Sequence, residues 1–350
     1  MRTVLVTGGA GFIGANFVHH LLRERDTVSV ITLDALTYAG SRANLPDATR
    51  HTFVHGNICD TDLVIDLLRT YHVDTIVNFA AETHVDRSLV DPTAFLQSNV
   101  LGVASLLSAA RQVWLAERLP LAHRPRFHQV STDEVYGDLP PDAPASRESD
   151  PYHPSSPYAA SKASADHLVW SWRRSYGLPV SAHHAANTYG PRQFPEKLLP
   201  LFVFRALREQ TLPVYGDGHQ IRDWLHVADH CSAVLSILDG PEGRRWNVSS
   251  GIQVRNLDLI EGLCAALDQH HPRARPHRDL IRHVADRPGH DRRYAVDAQA
   301  LRSELGWAPR ISWRQGLVET VRWYLSHPDW IDGVRSAPAY RDWMQERYGT

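Results

Sequence analysis

Cysteine is scarce and widely spaced in this 350-residue chain. Only Cys59, Cys231 and Cys264 occur, and no two of them form a CxxC pair. An odd number of isolated cysteines does not fit a disulfide framework or a cysteine-rich zinc site. The paired histidines also lack the spacing of a preformed metal site. We therefore predict a cytoplasmic protein without a metal ion.

The sequence also lacks an excess of one charge. The chain has 37 basic and 39 acidic residues, for a formal net charge of -2. Such a balance argues against nucleic acid or an anionic membrane as the main partner. The N-terminal apolar run is broken by Gly8, Gly9, Gly11 and Gly14, so we do not expect a signal peptide. We expect no membrane-spanning segment, because no stretch approaches about 20 apolar residues.

Lysine is nearly absent, since Lys162 and Lys197 are the only lysines among the 37 basic residues. This bias indicates that arginine serves wherever a positive charge is enough. The two lysines would then stand where a planar guanidinium does not fit. The alternative is that a biased composition leaves a few lysines by chance.

Strand and helix signals alternate through the first half of the chain, which predicts βαβ units and a parallel sheet. Beyond about residue 187 the alternation fades into shorter elements. We therefore predict a doubly wound α/β sheet of the Rossmann type over 1–186 and a smaller C-terminal lobe over 187–350, with segments that can interleave. The predicted strands are Thr3–Thr7, Val28–Asp34, His51–His55, Thr75–Phe79, Phe127–Ser131 and Val180–Ala185, and the predicted helices are Phe12–Glu24, Thr61–Thr70, Thr93–Glu117 and Ser156–Tyr176.

A glycine-rich turn joins the first predicted strand to the first helix. Gly8, Gly11 and Gly14 form GxxGxxG, which lets a phosphate approach backbone N–H groups at the helix N-terminus. Asp34 ends the second strand 20 residues after Gly14. A carboxylate there accepts hydrogen bonds from both ribose hydroxyls and repels a 2′-phosphate. The pattern favours NAD over NADP; the alternative is that these glycines only form a turn.

Tyr158 and Lys162 form a YxxxK pair on one face of a predicted helix. We expect the lysine cation to lower the pKa of the phenol, so that it acts as an acid or base near neutral pH. Thr132 ends a predicted strand, where its hydroxyl can hold a substrate oxygen against the tyrosine. The alternative is a core tyrosine beside a solvated lysine.

Two adjacent carboxylates, Asp133 and Glu134, follow Thr132. Such a pair suits one proton donor and one acceptor when burial and mutual repulsion separate their pKa values. Adjacent side chains of a regular strand face opposite ways. The two can therefore share a pocket only if the chain bends at this point. The alternative is an exposed acidic turn or a helix cap.

At these residues the sequence resembles the dTDP-glucose 4,6-dehydratases, which are extended short-chain dehydrogenase/reductase enzymes of deoxysugar biosynthesis. The matching segments run through nearly the whole chain and are specific when taken together. They are TGGAGFIG (7–14), AAETHVDRS (80–88), STDEVYGDL (131–139), SPYAASKASADHLV (156–169), NTYGPRQFPEKLLPLF (187–202), VYGDGHQIRDWLHVADH (214–230) and RPGHDRRYAVD (287–297).

The resemblance implies a lyase that converts dTDP-glucose to dTDP-4-keto-6-deoxyglucose in three steps. Tyr158 removes the O4 proton while C4 gives a hydride to NAD. Glu134 then takes the C5 proton and Asp133 protonates the C6 hydroxyl, which leaves as water. The hydride finally returns to C6. The resemblance also implies a homodimer, in which Thr93–Glu117 and Ser156–Tyr176 of both partners form a four-helix bundle.

The resemblance further implies binding residues for both ligands. Besides Tyr158 and Lys162, the cofactor residues are Gly8, Gly11, Phe12, Ile13, Gly14, Asp34, Leu36, Thr37, Asn57, Ile58, Ala80, Ala81, Ser98 and Thr188. The residues implied for the dTDP-sugar are Thr83, Thr132, Asn187, Lys197, Leu198, Pro213, Tyr215, Arg222, Asn247, Arg287 and His290. A buried structural salt bridge stays open for Arg222, and a structural role stays open for Lys197.

Three residues depart from the family pattern. Asn57 replaces an aspartate that meets the adenine, Thr188 replaces the second asparagine of NNYGP, and Arg192 replaces an aromatic residue. We expect these changes to alter only the fit of the ligands.

Two other functions compete with the dehydratase. A nucleotide-sugar 4-epimerase needs the same glycine and YxxxK motifs but not the carboxylate pair. A non-catalytic dinucleotide-binding regulator would need neither Tyr158 nor Lys162.

Overall fold

The computed structural model describes residues 1–286 and 290–348, and its centre is a seven-stranded parallel sheet. The strand order is β10-β6-β5-β4-β1-β2-β3, so the direction of winding reverses between β4 and β1. The strands of the described chain are β1 (Thr3–Thr7), β2 (Ser29–Asp34), β3 (His51–His55), β4 (Thr75–Asn78), β5 (Arg126–Thr132), β6 (Val180–Ala185), β7 (Asn187–Tyr189), β8 (Leu212–Tyr215), β9 (Ile221–His226), β10 (Arg245–Val248), β11 (Gln253–Arg255) and β12 (Ile281–Val284).

Helices cover both faces of this sheet. The helices of the described chain are α1 (Phe12–Glu24), α2 (Thr61–Thr70), α3 (Val85–Val90), α4 (Pro92–Leu96), α5 (Gly102–Ala110), α6 (Pro157–Tyr176), α7 (Leu198–Ala206), α8 (Val227–Asp239), α9 (Asn256–His270), α10 (Gln299–Leu305), α11 (Trp313–Ser326), α12 (Pro328–Ser336) and α13 (Pro338–Tyr348). In β1, Val4 and Val6 pack in the core formed with α1 and α8, whereas Leu5 packs with α2, α5 and α6. This burial on both faces explains why β1 is apolar along most of its length.

The predicted doubly wound α/β sheet is therefore confirmed, and the predicted strands and helices of the first half lie within one or two residues of the observed ones. The predicted helix Thr93–Glu117 is one helical stretch, but it has π-helical turns at Gln97–Leu101 and Arg111–Ala116.

That stretch, Pro92–Ala116, differs from the expectation in another way. It is long and apolar enough, by length and composition, to cross a membrane. Half of its most apolar window is buried inside the protein, where Val103, Leu106 and Leu107 pack in the core beside the sheet. This side of the stretch is therefore a core helix of the large sheet.

Later parts of the chain return to the large sheet. Strand β10 pairs with β6, and α8 packs against α1. The smaller lobe contains the sheets β11-β9-β7 and β12-β8. Its own core joins α7, α9 and α11 through residues such as Phe202, Leu263 and Tyr324. A cut between residues 186 and 187 would divide the large sheet, so the two-part division stays a prediction with interleaved segments.

Arg126 ties the start of β5 to the end of α8. Its guanidinium donates hydrogen bonds to the carbonyl oxygens of Ile237, Leu238 and Gly240 at 3.0, 2.9 and 2.9 Å. The last carbonyl groups of a helix have no partners within the helix, so these bonds replace the missing ones.

We expect Arg126→Leu to lower the free energy of unfolding by about 2 kcal/mol, because three helix-end carbonyls lose a charged donor. Urea denaturation measures this change. The matched control is Arg124→Leu, which removes an exposed guanidinium paired with Glu242. The control should change the free energy by less than about 0.5 kcal/mol. Equal losses in the two variants would contradict the assigned role of Arg126.

Candidate active site

A cavity of about 600 Å³ opens at the carboxyl ends of the parallel strands. The ends of β1, β2, β5 and β6 line it on one side, and residues of the smaller lobe line it on the other. The point where a doubly wound sheet reverses its winding leaves such a crevice. The cavity therefore lies where the fold itself predicts a ligand.

The glycine turn forms one wall of the cavity. Gly8 has a φ of +65°, and a Cβ atom on it would lie 2.5 Å from the backbone nitrogen of Ala80. A Cβ atom on Gly14 would lie 2.3 Å from the carbonyl oxygen of Gly8. No side chain caps α1, which follows this turn at Phe12. Its first N–H groups are thus open to an anion such as a phosphate.

Asp34 ends β2 beside this turn. Its carboxylate accepts hydrogen bonds from the backbone N–H groups of Ala10 and Leu36, both at 2.8 Å. Burial raises the pKa of Asp34, and these two hydrogen bonds oppose the rise. Asn57 accepts the backbone N–H of Cys59 at 2.9 Å, as an aspartate would. Asparagine in place of aspartate at position 57 therefore preserves the hydrogen bond that stabilises the turn after β3.

The chain bends after β5, as the shared-pocket interpretation requires. Asp133–Tyr136 is a 3₁₀ turn that follows Thr132, and Asp133 and Glu134 both line the cavity. Asp133 is 2% exposed, and its Oδ2 atom has no hydrogen-bond partner. Burial and the negative charge of Glu134 hold the pKa of Asp133 well above its usual range, although Arg222 opposes this. Burial therefore favours the protonated form of Asp133, which suits a proton donor.

Tyr158 and Lys162 reach the same cavity from α6. Ser156 caps this helix by accepting the backbone N–H of Ala159 at 3.1 Å. Both side chains are buried, and the Lys162 ammonium donates a hydrogen bond to the carbonyl oxygen of Val130 at 2.6 Å.

The pKa of the Tyr158 phenol is raised in the protein alone, not lowered as expected from the YxxxK pair. Burial and the negative charge of Glu134 raise the pKa of Tyr158, although a hydrogen bond with Thr132 opposes them. The phenol is therefore neutral at pH 7 in the protein alone. Burial also lowers the pKa of Lys162 to about 8.

Arg222 lies on the lobe side of the cavity. Its guanidinium donates to the carbonyl oxygens of Ile221 and Asp291 at 2.8 and 2.9 Å, and it stacks on the ring of Tyr294 at 4.4 Å. Backbone carbonyl groups thus fix its position while its charge acts on Asp133.

Two further predicted residues on this side have local partners. The Lys197 ammonium donates to the carbonyl oxygen of Thr83 at 2.9 Å. Nδ1 of His290 lies 2.6 Å from Oδ1 of Asp286. The Lys197 contact joins the smaller lobe to the segment after β4.

The cavity brings together most of the predicted site residues. Those on its wall are Gly8, Gly11, Phe12, Ile13, Gly14, Asp34, Thr37, Asn57, Ile58, Ala80, Ala81, Thr83, Ser98, Thr132, Asp133, Glu134, Tyr158, Lys162, Asn187, Thr188, Lys197, Leu198, Pro213, Tyr215, Arg222 and His290.

Asn247 corrects the prediction. It is fully buried in β10 away from the cavity wall, where its side chain bonds to the Tyr136 hydroxyl and the Ser146 carbonyl oxygen. Leu36 also does not line the cavity, although its N–H group supports Asp34. Arg287 lies outside the described residues.

Sequence reasoning missed several polar residues of the wall. Glu82, Gln193, Glu196 and Tyr294 line the cavity, and the Glu196 carboxylate accepts a hydrogen bond from Tyr38 at 2.9 Å. Of these four residues, only Glu196 could have been singled out from the sequence, because it directly precedes one of the two lysines.

Comparison with known proteins gives consistent similarities. The family model for GDP-mannose 4,6 dehydratase matches residues 5–320. The dTDP-glucose 4,6-dehydratase 1 of Escherichia coli K12 is 45% identical over 357 residues, covering 99% of this chain and 98% of that protein. A dTDP-glucose 4,6-dehydratase of Xanthomonas campestris (strain B100) is 49% identical over 342 residues, covering 95% and 96%.

A solved structure is also similar to this chain. The dTDP-glucose 4,6-dehydratase DesIV of Streptomyces venezuelae, determined with NAD bound, superimposes with a TM-score of 0.86. It is 43% identical, and the match covers 95% of this chain and 99% of that one.

We expect Gly14→Ala to lower the free energy of unfolding by about 2 kcal/mol, because the new methyl group would collide with the Gly8 carbonyl. The matched control is Gly333→Ala in α12, where a Cβ atom meets nothing within 4 Å. The control should raise the free energy of unfolding by about 0.5 kcal/mol, since alanine favours a helix interior over glycine. Urea denaturation of both variants checks this, and an unchanged stability of Gly14→Ala would contradict the close packing of the turn.

Proposed function

This chain belongs to the nucleotide-sugar 4,6-dehydratase family, among the dTDP-glucose 4,6-dehydratases, and we propose that it converts dTDP-glucose to dTDP-4-keto-6-deoxyglucose. The observation that carries this function is the meeting of Asp133, Glu134 and Tyr158 in one cavity. Elimination of water needs a proton donor and a proton acceptor in addition to the acid/base for O4. This cavity contains candidates for all three.

NAD is the cofactor, and the glycine turn and β2 carry the features that fit it. The uncapped start of α1 suits the diphosphate, and the cradle formed by Gly8 and Gly14 has no room for a side chain. Asp34 suits the ribose hydroxyls. When bound, NAD supplies the hydride acceptor at C4 and the hydride donor for C6. Asn57, Ile58, Ala80, Ala81, Ser98 and Thr188 are the further residues that we assign to it.

We assign the proton transfers to three side chains. Tyr158 accepts the proton of O4 and later returns it, while the Thr132 hydroxyl holds O4 against the phenol. Glu134 removes the C5 proton, and its half-buried carboxylate lines the cavity. Asp133 donates to the C6 hydroxyl, because burial raises the pKa of its carboxyl and so favours the protonated form.

The smaller lobe supplies the contacts to the sugar nucleotide. Oδ1 of Asn187 is buried at the cavity wall without a hydrogen-bond partner, so it suits a sugar hydroxyl. Arg222 presents a fixed positive charge for the diphosphate. Thr83, Lys197, Leu198, Pro213, Tyr215 and His290 are the other residues that we assign to the substrate.

We expect purified protein to convert dTDP-glucose to a product one water lighter, with the ultraviolet absorbance in alkali of a 4-keto-6-deoxy sugar. Asp133→Asn with Glu134→Gln should lower this turnover by about 10³-fold, because the elimination loses its acid and its base. The double variant should retain NAD, since neither carboxylate belongs to the glycine turn. Mass spectrometry measures the product, and UDP-glucose assayed in parallel reports the base preference.

The matched control is Asp142→Asn, which changes an exposed carboxylate of the loop after β5. It should leave turnover unchanged. An isomer of unchanged mass would instead identify a 4-epimerase. Absence of turnover with either nucleotide would favour the regulator. Full dehydration by the double variant would contradict the roles of the two carboxylates.

We propose that the enzyme is a cytoplasmic homodimer. All three cysteines are free, which fits a reducing compartment. Large apolar side chains are exposed along α3 and the Pro92–Ala116 stretch, among them Leu96 at 52% and Leu101 at 62%. A second copy that packs this stretch and α6 as a four-helix bundle would cover them.

We expect Leu96→Glu with Leu101→Glu to convert the dimer to a monomer, because charges would replace the apolar centre of the contact. Light scattering measures the mass. Ile252→Glu is the matched control, since Ile252 is 46% exposed but lies before β11 in the smaller lobe. A wild-type protein of monomer mass, or dissociation in the control, would contradict the assigned surface.

A further inference from the structure

A buried carboxylate lies one helical turn beyond Lys162. Asp166 follows Lys162 by four residues in α6, so the two side chains share one face of the helix. Asp166 is 0% exposed and Lys162 is 4% exposed. A cation removed from water in this way requires a nearby negative charge or it loses its proton.

Asp166 is fixed by the strands that carry the site. Its Oδ2 atom accepts a hydrogen bond from the Ser131 hydroxyl at 2.7 Å and lies 3.0 Å from Nε2 of His184. The Tyr152 hydroxyl donates to the same oxygen at 3.4 Å. Ser131, Tyr152 and His184 together hold this carboxyl oxygen in one position.

The second oxygen of Asp166 is the unusual feature. Oδ1 is buried and has no hydrogen-bond partner, so the donors on Oδ2 do not use the whole carboxylate. Asp166 belongs to α6, and Ser131 is the residue before Thr132 in β5. The hydrogen bond between them therefore fixes this carboxylate to the end of β5. The carboxylate is rigidly placed behind the reactive residues.

We propose that Asp166 is a positioning residue, whose buried carboxylate one helical turn away keeps the Lys162 ammonium charged beside Tyr158. This inference rests on the proposed function, since Lys162 has its role only in that site. Asp166 itself does not line the cavity and so does not touch the substrate.

The surroundings of Lys162 support this assignment. Burial lowers the pKa of Lys162 to about 8, and the negative charge of Asp166 opposes the fall. On the neighbouring strand β6, burial holds the pKa of His183 well below its usual range, so this ring stays neutral. His184 bonds to Asp166, and Tyr158 is neutral. Asp133 and Glu134 line the same cavity, and their charges act on Tyr158.

The alternative is that Asp166 serves only His184 within a polar part of the core. The two possibilities differ in what happens to Lys162 when each partner is removed. The composition makes that measurement direct, because the chain has only two lysines. Protein labelled with ¹³Cε-lysine gives one signal from Lys162 and one from Lys197, and the Lys197 signal serves as an internal reference.

We expect Asp166→Asn to lower the pKa of Lys162 by about one unit, measured from the ¹³Cε shift of the NAD-bound protein. The Lys197 signal should not change. His184→Gln disturbs the same network without removing the anion, so it should leave the pKa of Lys162 unchanged or raise it. Asp74→Asn is the control for a remote buried carboxylate, which accepts the Arg2 N–H at 2.7 Å, and it should have no effect.

Turnover gives an independent result with a defined sign. Lys162 is charged below its pKa, so a lower pKa removes the charge first at high pH. If the pKa falls from about 8 to about 7, the charged fraction falls about fivefold near pH 8 and hardly at all near pH 6. The kcat of Asp166→Asn should follow that pattern, whereas a loss of packing alone would lower kcat equally at both pH values.

A Lys162 titration in Asp166→Asn that superimposes on that of the wild type would overturn the proposal. An equal fall in the pKa of Lys162 in His184→Gln or Asp74→Asn would also overturn the proposal. If Asp166→Asn does not fold, the pKa of Lys162 in His184→Gln decides. Because the lysine titration is recorded without sugar nucleotide, it remains valid whichever product the enzyme forms. A failure of the proposed function would appear separately, in the product of the wild-type protein.

Discussion

Burial of ionisable groups at the carboxyl edge of the sheet is the constraint on which the site depends. Burial drives Asp133 and Tyr158 to retain their protons and drives Lys162 to lose one. Because little water competes in such a place, one or two neighbours decide each protonation state. Arg222 acts on Asp133, and Asp166 acts on Lys162. The reactivity of the cavity is therefore set by charges that the fold keeps out of solvent.

The fold meets this constraint by building the two walls from one continuous framework. Strand β6 ends at Ala185, and β7 begins two residues later and pairs with β9 of the smaller lobe. The chain then returns to the large sheet through α8 and β10. Short connections of this kind leave little freedom between the walls. Asn187 and Arg222 consequently line the same cavity as the carboxylates, at positions fixed by strand pairing rather than by a flexible linker.

Local patterns in the sequence predicted the strands of the large sheet, because strands buried on both faces such as β1 and β4 are rich in apolar and β-branched residues. The GxxGxxG and YxxxK motifs could also be recognised in the sequence, since each depends on a turn or a helix that spans a few residues. Asn247 was misplaced because resemblance transfers a position but not its burial, and here Tyr136 and Ser146 occupy its amide. The direction of the Tyr158 pKa was missed for a related reason. Its burial comes from segments far apart in the chain, which no local pattern reports.

The bend at Asp133 separates the dehydratase from the epimerase on physical grounds. Keeping an oxygen of Asp133 buried without a partner costs free energy that solvent exposure would avoid. Dehydration and epimerisation both exchange a proton at O4, and Tyr158 and Thr132 are sufficient for that exchange. Only elimination requires a second proton to be stored beside C6 and a separate base for C5. A buried carboxyl whose raised pKa favours the protonated form, next to the half-buried carboxylate of Glu134, meets that requirement. The buried, unpartnered oxygen of Asp133 therefore has a use in water loss and none in epimerisation.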